Sequence, residues 1–137
     1  PKIKISENTS KITNPHFKKV YRLYENPTGK AIADLICLHD ETIDESQPLT
    51  IFDPDYTWKR KTLTDFRAEE LLVPIFKDGK CVYDRPDTSQ IRDYCREQLA
   101  LQWDEVKRFE YPHNYYVDLS QKLWDIKYEL LCKSGNY

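Results

Sequence analysis

Three side chains near the carboxyl end have the types needed for a nucleophilic catalytic site. His113, Asp118 and Ser120 lie close together in the sequence, and a serine nucleophile needs a base within hydrogen-bond reach and a third group that orients it. Ser120, however, precedes a helix-like apolar pattern, where a serine caps the first turn. Asp118 lies near the same helix start, where a negative charge is favourable. The pattern therefore favours a chain pinned down before its last helix, and we assign no catalytic residue.

Carboxylates and aromatic rings offer two further candidate sites. Asp40, Asp53 and Asp55 could ligate Mg²⁺ through oxygen, but FDPDY lacks the regular ligand ladder of a calcium loop, so we predict no metal site. An aromatic set could stack on a base or on a nicotinamide-like ring, although its spacing suits a small core equally well; its members are Tyr111, Tyr115, Tyr116, Trp124 and Tyr128. Because basic residues are not interleaved with these rings, nucleic-acid stacking fits poorly. We predict no cofactor-binding residue.

The amino-terminal third is locally basic. It contains Lys4, Lys11, Lys18, Lys19 and Arg22. These cations could help to hold a phosphate of a substrate bound by a neighbouring domain, and Lys11 and Lys18 are the candidates for that role. The alternative is that the lysines cover the exposed faces of alternating strands, with their stems on apolar surface.

Composition excludes several classes of function. The net charge is -2, with the two signs interspersed, so nothing favours nucleic acid or a membrane surface as a partner. The longest uncharged apolar run, residues 71–76, is too short to span a bilayer. The first ten residues lack the apolar core of a signal peptide, and we predict a cytoplasmic protein.

Glycines and cysteines are sparse and widely spaced. Phosphate-cradling loops need closely spaced glycines, and the three glycines at positions 29, 79 and 135 do not have that spacing. The four cysteines, at positions 37, 81, 95 and 132, are too far apart for a zinc knuckle. We therefore predict reduced and mostly buried thiols.

The patterns predict an α+β fold with antiparallel hairpins over about residues 18–39 and 70–83. Pro27 and Gly29 mark the first turn, and Asp78-Gly79 is a hairpin dipeptide. Two carboxy-terminal helices follow, at about 88–104 and 120–133. Asp87 or Ser89 is expected to cap the first helix, which carries an apolar face of Ile91, Cys95, Leu99 and Trp103. The second is expected to bury Leu119, Leu123, Ile126 and Leu130.

Three segments are less regular. The opening PKIKIS alternates like a short half-buried strand. The acidic stretch 40–48 is either a binding patch or, as we favour, a solvated connection between two sheets. Residues 49–66 indicate extended structure without a sustained period.

Three stretches resemble the nicotinate phosphoribosyltransferase family. Residues 1–24, PKIKISENTSKITNPHFKKVYRLY, resemble the segment that follows the catalytic barrel. Residues 70–99, which begin ELLVPIFKDGKCVY, are similar to a family segment and the helix that follows it, and residues 105–131 are similar to the family's closing element. The order matches and suits the long bacterial form of the enzyme. His16 departs from the pattern, because the family usually has glycine at that place.

The resemblance implies a carboxy-terminal domain of an NAD-salvage enzyme. That enzyme joins nicotinate to phosphoribosyl pyrophosphate, with ATP hydrolysis and Mg²⁺, and releases nicotinate mononucleotide and pyrophosphate. The family's phosphorylated histidine lies in the barrel, so its role is not transferred to His16, His39 or His113. We therefore expect this segment to be inactive alone and to bind no cofactor itself.

The resemblance also implies a domain organisation and partners. We expect one domain over 1–137, with residues 1–39 joining an upstream barrel and 40–137 forming an α+β cap. The barrel of the same chain is the expected partner, and a second subunit of a homodimer is a further one. The alternative is a non-catalytic binding module that contacts ligand phosphates or a neighbouring subunit.

Overall fold

A computed structural model describes residues 17–54, 60–133 and 135. Its centre is a six-stranded sheet of order β4-β3-β8-β2-β1-β5, and a separate two-stranded ladder joins β6 to β7. The strands are β1 Lys18–Glu25, β2 Ala31–Leu38, β3 Leu49–Phe52, β4 Arg60–Leu63, β5 Phe66–Glu70, β6 Phe76–Lys77, β7 Lys80–Cys81 and β8 Tyr116–Ser120. The helices are α1 Thr88–Ala100, α2 Asp104–Lys107 and α3 Gln121–Lys133. The predicted α+β class is confirmed.

The first predicted hairpin, 18–39, is confirmed as β1 and β2. The two strands are antiparallel, and Arg22 lies directly opposite Asp34. The turn closes with a hydrogen bond from the Gly29 amide to the Glu25 carbonyl at 2.8 Å. Gly29 has a φ of 70°, a conformation in which any side chain would be strained, as its place in the turn predicts.

The second predicted hairpin, 70–83, is confirmed only in its central part. Strands β6 and β7 pair through two residue pairs, and both Asp78 and Gly79 have positive φ, as the dipeptide predicts. Residues 71–75, however, are not a strand, and Glu70 belongs to β5, which pairs with β1 instead. The unpaired stretch includes Pro74, which cannot donate to a ladder.

Strand β8 was not predicted from the sequence, and neither were β5 and the short helix α2. Strand β8 lies between β2 and β3, parallel to the first and antiparallel to the second. Its buried residues are Asp118, Leu119 and Ser120, so two of three are polar and the usual apolar signal of a strand is weak. The sheet therefore draws its strands from both ends of the chain.

The core occupies both faces of this sheet. One cluster joins Tyr21, Leu23, Ala33, Leu35, Cys37, Ile51 and Phe66. A second joins Phe52, Leu119, Leu123 and Trp124, with Ile36 and Leu38 packed against it. Neighbouring residues of β2 point to opposite faces, so Leu35 serves the first cluster and Ile36 the second. Helix α3 covers the second face.

Helix α1 ends at Ala100 rather than at the predicted 104, and none of its residues is buried. Asp87 caps it: the Gln90 amide donates to the Asp87 carboxylate at 2.8 Å. The predicted apolar face is present but uncovered, and Ile91 and Leu99 are about half exposed. The helical spacing of the apolar residues identified this face correctly. That spacing alone does not show what packs against the face.

The face that helix α3 buries matches the predicted one only in part: Leu119, just before the helix, and Leu123 are buried as expected. The buried residues of the helix are Leu123, Trp124, Lys127 and Leu131, whereas Ile126 and Leu130 are only half-buried. Trp124 stacks on Phe52 with ring centroids 6.2 Å apart. The Lys127 ammonium donates to the Pro54 carbonyl at 2.9 Å, which lets a lysine occupy the buried face. The helix is thus rotated toward the tryptophan.

The irregular segments have separate outcomes. The acidic stretch is confirmed as a connection, but it joins β2 and β3 of one sheet rather than two sheets. Its acids are not simply solvated, since the Leu38 amide donates to Glu41 and the Ala68 amide to Glu45, both at 2.7 Å. Extended structure over 49–66 is confirmed in β3 and β4. The predicted strand PKIKIS lies outside the described residues.

The prediction of mostly buried thiols is wrong. All four cysteines are free, but only Cys37 is buried. Cys81, Cys95 and Cys132 lie on faces that the described residues leave open. Burial raises the pKa of the Cys37 thiol to about 12, because the thiolate would lose its hydration.

We expect Cys37 to resist a thiol reagent. At pH 8 a thiol with a pKa of about 12 is ionised to only about one part in ten thousand, and the thiolate is the reacting form. Ellman's reagent should therefore modify three of the four thiols of the native chain quickly, and the fourth only in urea. Four fast thiols in the native chain would show that Cys37 is accessible.

Candidate functional site

The three residues of the candidate triad do not form one. The Ser120 hydroxyl donates to the Glu41 carboxylate at 2.7 Å and accepts from the Leu123 amide at 3.3 Å. His113 is exposed, and its backbone amide donates to the Glu105 carbonyl at 2.9 Å. Among the described residues, no hydrogen bond links His113 to Ser120 or to Asp118. Ser120 caps the last helix, as predicted.

The Asp118 side chain is a buried carboxyl within the central sheet. It lies in β8, where the sheet register pairs it with Leu35. Burial raises its pKa, the nearby Asp53 charge raises it further, and Lys61 opposes both effects. A raised carboxyl pKa can mark a general acid. Asp118, however, does not line the cavity between the sheet and the segment 103–116.

A cavity of about 690 Å³ lies between the sheet and the segment 103–116. Its volume falls within the range of small-molecule sites. Its polar lining includes Glu25, Lys61, Glu105 and His113, and Ala31, Ala33 and Ile51 contribute apolar surface. The Lys61 ammonium lies 3.2 Å from the centre of the Tyr116 ring, a cation–π contact. Among the described residues, the cavity lining contains neither serine nor cysteine, and its hydroxyl groups come from threonine and tyrosine side chains.

The most connected polar group is formed by Arg22, Asp34 and Tyr115, which we call the Asp34 cluster. The Arg22 guanidinium donates twice to the Asp34 carboxylate, at 2.8 and 3.1 Å. The Tyr115 hydroxyl donates to the same carboxylate at 2.8 Å. The hydrogen bond to Asp34 raises the pKa of Arg22, and burial raises that of Tyr115. This cluster fastens the segment before β8 to the β1–β2 hairpin.

The basic amino-terminal residues are distributed among different surroundings. Arg22 is bound to Asp34, and Lys19 lies 5.3 Å from the Tyr21 ring centre. Lys18 begins β1, half-buried and opposite Leu38. Lys11 lies outside the described residues, as Lys4 does. A role for Lys11 and Lys18 at a substrate phosphate therefore stays a prediction.

The metal and aromatic candidates are also separated. Asp55 lies outside the described residues, and over 17–54, 60–133 and 135 no group of three or more histidine, cysteine or carboxylate side chains could hold a metal ion. Trp124 is buried on Phe52, whereas Tyr111 is almost fully exposed. The hydroxyl of Tyr115 is bound to Asp34, and the ring of Tyr116 faces Lys61. These aromatic side chains do not form one stacking platform.

Two acceptors of the main polar contacts, Asp34 and Glu41, were not predicted from the sequence. Asp34 interrupts an apolar strand, and Glu41 lies in a stretch interpreted as solvated. A polar residue within a strand pattern, opposite an arginine on the neighbouring strand, was the available signal for the Asp34 cluster.

None of the described helices is long and apolar enough to cross a membrane.

These features define an α+β domain in which two polar contacts, the Asp34 cluster and the Ser120–Glu41 hydrogen bond, join segments that are distant in the sequence. The family model for the nicotinate phosphoribosyltransferase C-terminal domain matches residues 17–127. The chain therefore belongs to that domain family, as its sequence motifs indicate.

Individual proteins show the same relationship. The chain is 39% identical over 125 residues to a nicotinate phosphoribosyltransferase of Bacillus subtilis (strain 168), covering 91% of this chain and 26% of that protein. It is 31% identical to one of Caenorhabditis elegans, covering 98% and 24% respectively. A crystal structure of human nicotinic acid phosphoribosyltransferase has the same fold, with a TM-score of 0.77 at 23% identity over 88% of this chain and 24% of that one. The chain spans about a quarter of the length of these curated relatives.

Ser120→Ala is expected to lower the free energy of unfolding by about 1 kcal/mol, because the cap on the Leu123 amide is lost. Urea unfolding of the 137-residue chain would measure it. Ser89→Ala is the matched control: Ser89 is an exposed first-turn residue of α1, and Asp87 caps that helix instead. Equal effects of the two substitutions would contradict the capping role of Ser120.

Proposed function

We propose that this chain is the carboxy-terminal structural domain of a nicotinate phosphoribosyltransferase. The whole enzyme would convert nicotinate and phosphoribosyl pyrophosphate, with ATP hydrolysis, to nicotinate mononucleotide and pyrophosphate in NAD salvage. The observation that carries the proposal is the family match over 17–127. The protein that includes this chain is, on this proposal, an enzyme, and the chain alone is inactive.

The hydrogen bonds that the polar side chains make within the domain support a non-catalytic role. A transferase of this kind must stabilise a departing pyrophosphate, normally through Mg²⁺ and cationic side chains. Arg22 is held by Asp34, and the described residues present no cluster that fits Mg²⁺. On this proposal, ATP, Mg²⁺ and the chemical step belong to the catalytic barrel of the same enzyme.

The proposed task of the domain is mechanical. The Asp34 cluster and the Ser120–Glu41 contact tie residues far apart in sequence into one sheet. A rigid sheet of this kind can hold a neighbouring catalytic unit in a fixed shape.

The free cysteines suit a reducing compartment, which supports a cytoplasmic location.

A double substitution in the full-length enzyme tests the non-catalytic role. His113→Ala with Ser120→Ala should leave kcat for nicotinate mononucleotide formation nearly unchanged, while the melting temperature falls. The reason is that the His113 and Ser120 side chains share no described hydrogen bond, and Ser120 acts as a helix cap. A collapse of kcat with normal folding would overturn the structural assignment.

Lys11 and Lys18 provide the test of the alternative, a module that contacts ligand phosphates. If they contact the substrate, Lys11→Ala with Lys18→Ala should raise KM for phosphoribosyl pyrophosphate and leave the melting temperature unchanged. If they only cover the strands, KM should stay constant. Lys133→Ala is a suitable control, because Lys133 pairs with Glu129 at the exposed end of α3.

A further inference from the structure

The hairpin that includes β6 and β7 presents an unusual amount of apolar surface. We call residues 71–83 the docking hairpin. Six of its large apolar side chains are between 43% and 71% exposed: Leu72, Val73, Ile75, Phe76, Val82 and Tyr83. Single exposed apolar residues are ordinary, but a run of them within one short segment marks a contact surface.

The docking hairpin has a defined shape in spite of this exposure. Its ladder consists of the pairs Phe76–Cys81 and Lys77–Lys80, and the Val82 amide donates to the Ile75 carbonyl at 2.7 Å. An isolated two-stranded hairpin is at best marginally stable in water. Nothing in the described core clusters comes from this segment. A surface packed against this segment would therefore stabilise it.

Charge is confined to the tip of the docking hairpin. Lys77, Asp78 and Lys80 are its only charged residues and they surround the turn, whereas both stems are uncharged. The contact surface is accordingly an apolar strip that ends in a polar tip. A partner with an apolar groove fits this strip, and the tip can remain in water.

We propose that the docking hairpin packs against the catalytic part of the same enzyme chain. This inference rests on the proposed function. The matched segment makes up only about a quarter of the length of the relatives, so a large covalently attached surface is available. Covalent attachment gives such a surface a high effective concentration.

A second copy of the hairpin is a poorer occupant. A two-fold contact places the same patch of both subunits face to face. Where the two-fold axis passes near the turn, Lys77 and Lys80 would approach their own counterparts. The catalytic part of the same chain avoids this repulsion.

Hydrogen exchange of the full-length enzyme tests the proposal. The amides of 71–83 should be protected in the wild-type enzyme, and Phe76→Ser should speed their exchange by about tenfold or more, because local opening becomes easier. Lys77→Ser, on the next residue of β6, should change it little. The sedimentation coefficient should be the same for the wild-type enzyme and both variants.

Three results would overturn the proposal. They are unprotected amides over 71–83 in the wild-type enzyme, equal exchange in Phe76→Ser and wild type, and a Phe76→Ser enzyme that sediments as separated subunits. The third result would assign the hairpin to a subunit interface. The first of these results comes from the wild-type enzyme alone, so it does not depend on whether a variant folds. An assay of the same wild-type sample for nicotinate mononucleotide tests the proposed function separately, since exchange is measured without turnover.

Discussion

Leu35→Ala is expected to lower the free energy of unfolding by about 3 to 4 kcal/mol. Leu35 is fully buried in β2, the strand that pairs with both β1 and β8. Truncation removes the transfer free energy of the lost methyl groups and leaves a cavity that a central strand cannot easily close. Urea unfolding of the 137-residue chain, followed by far-ultraviolet circular dichroism, would measure the loss.

Leu72→Ala is the matched control for this experiment. Leu72 is 55% exposed in the described structure, so its truncation should cost less than about 0.5 kcal/mol in the same chain. In the full-length enzyme the same change should be more costly, because the docking hairpin would be covered there. A loss below about 1 kcal/mol for Leu35→Ala would contradict the assignment of β2 to the centre of the core.

Asp34→Ala is expected to lower the free energy of unfolding by about 2 to 3 kcal/mol. The Asp34 carboxylate accepts two hydrogen bonds from Arg22 and one from Tyr115. Its removal leaves a mostly buried guanidinium without its counter-charge and a half-buried hydroxyl without its acceptor. The partial exposure of the Arg22 side chain, 22%, keeps the loss below that of a fully buried pair.

Glu129→Ala is the control for the Asp34 experiment. It also removes a carboxylate from an ion pair, but Glu129 and Lys133 are about two-thirds exposed. Exposed pairs of this spacing contribute little to stability, because water screens the two charges. Similar losses for the two substitutions would show that the Asp34 cluster is no more than a surface ion pair.

Local signals predicted the local structure well. Gly29 and the Asp78-Gly79 dipeptide placed both turns, because positive φ strongly favours such residues. Asp87 and Ser120 placed two helix starts through the hydrogen bonds that their side chains can accept. Each of these turns and caps is formed by residues within a few positions of one another. The local sequence is therefore enough to predict them.

Long-range arrangement was predicted less well. Strand β8 inserts between β2 and β3 although its centre includes the polar residues Asp118 and Ser120. Those side chains are buried because of neighbours distant in sequence, as with Glu41, which accepts from Ser120. Helix α3 likewise turns toward Phe52 through Trp124. Neither contact has a signature in the local period.

The candidate site shows the same division. The sequence favoured a helix cap over a triad, because the capping position of Ser120 is a local property. It could not reveal that Asp34 gathers Arg22 and Tyr115, since these residues come from three separate segments. The family motifs supplied the function that residue types alone did not. The apolar patterns of α1 and of the docking hairpin do not specify what covers these surfaces.

Formation of nicotinate mononucleotide, measured side by side for the full-length protein and for the 137-residue chain, tests the central claim most directly. Both samples would receive nicotinate, phosphoribosyl pyrophosphate, ATP and Mg²⁺. We expect product from the full-length protein and none from the chain, because its described polar residues are engaged in the fold. Product from the chain alone, or none from the full-length protein, would contradict the account.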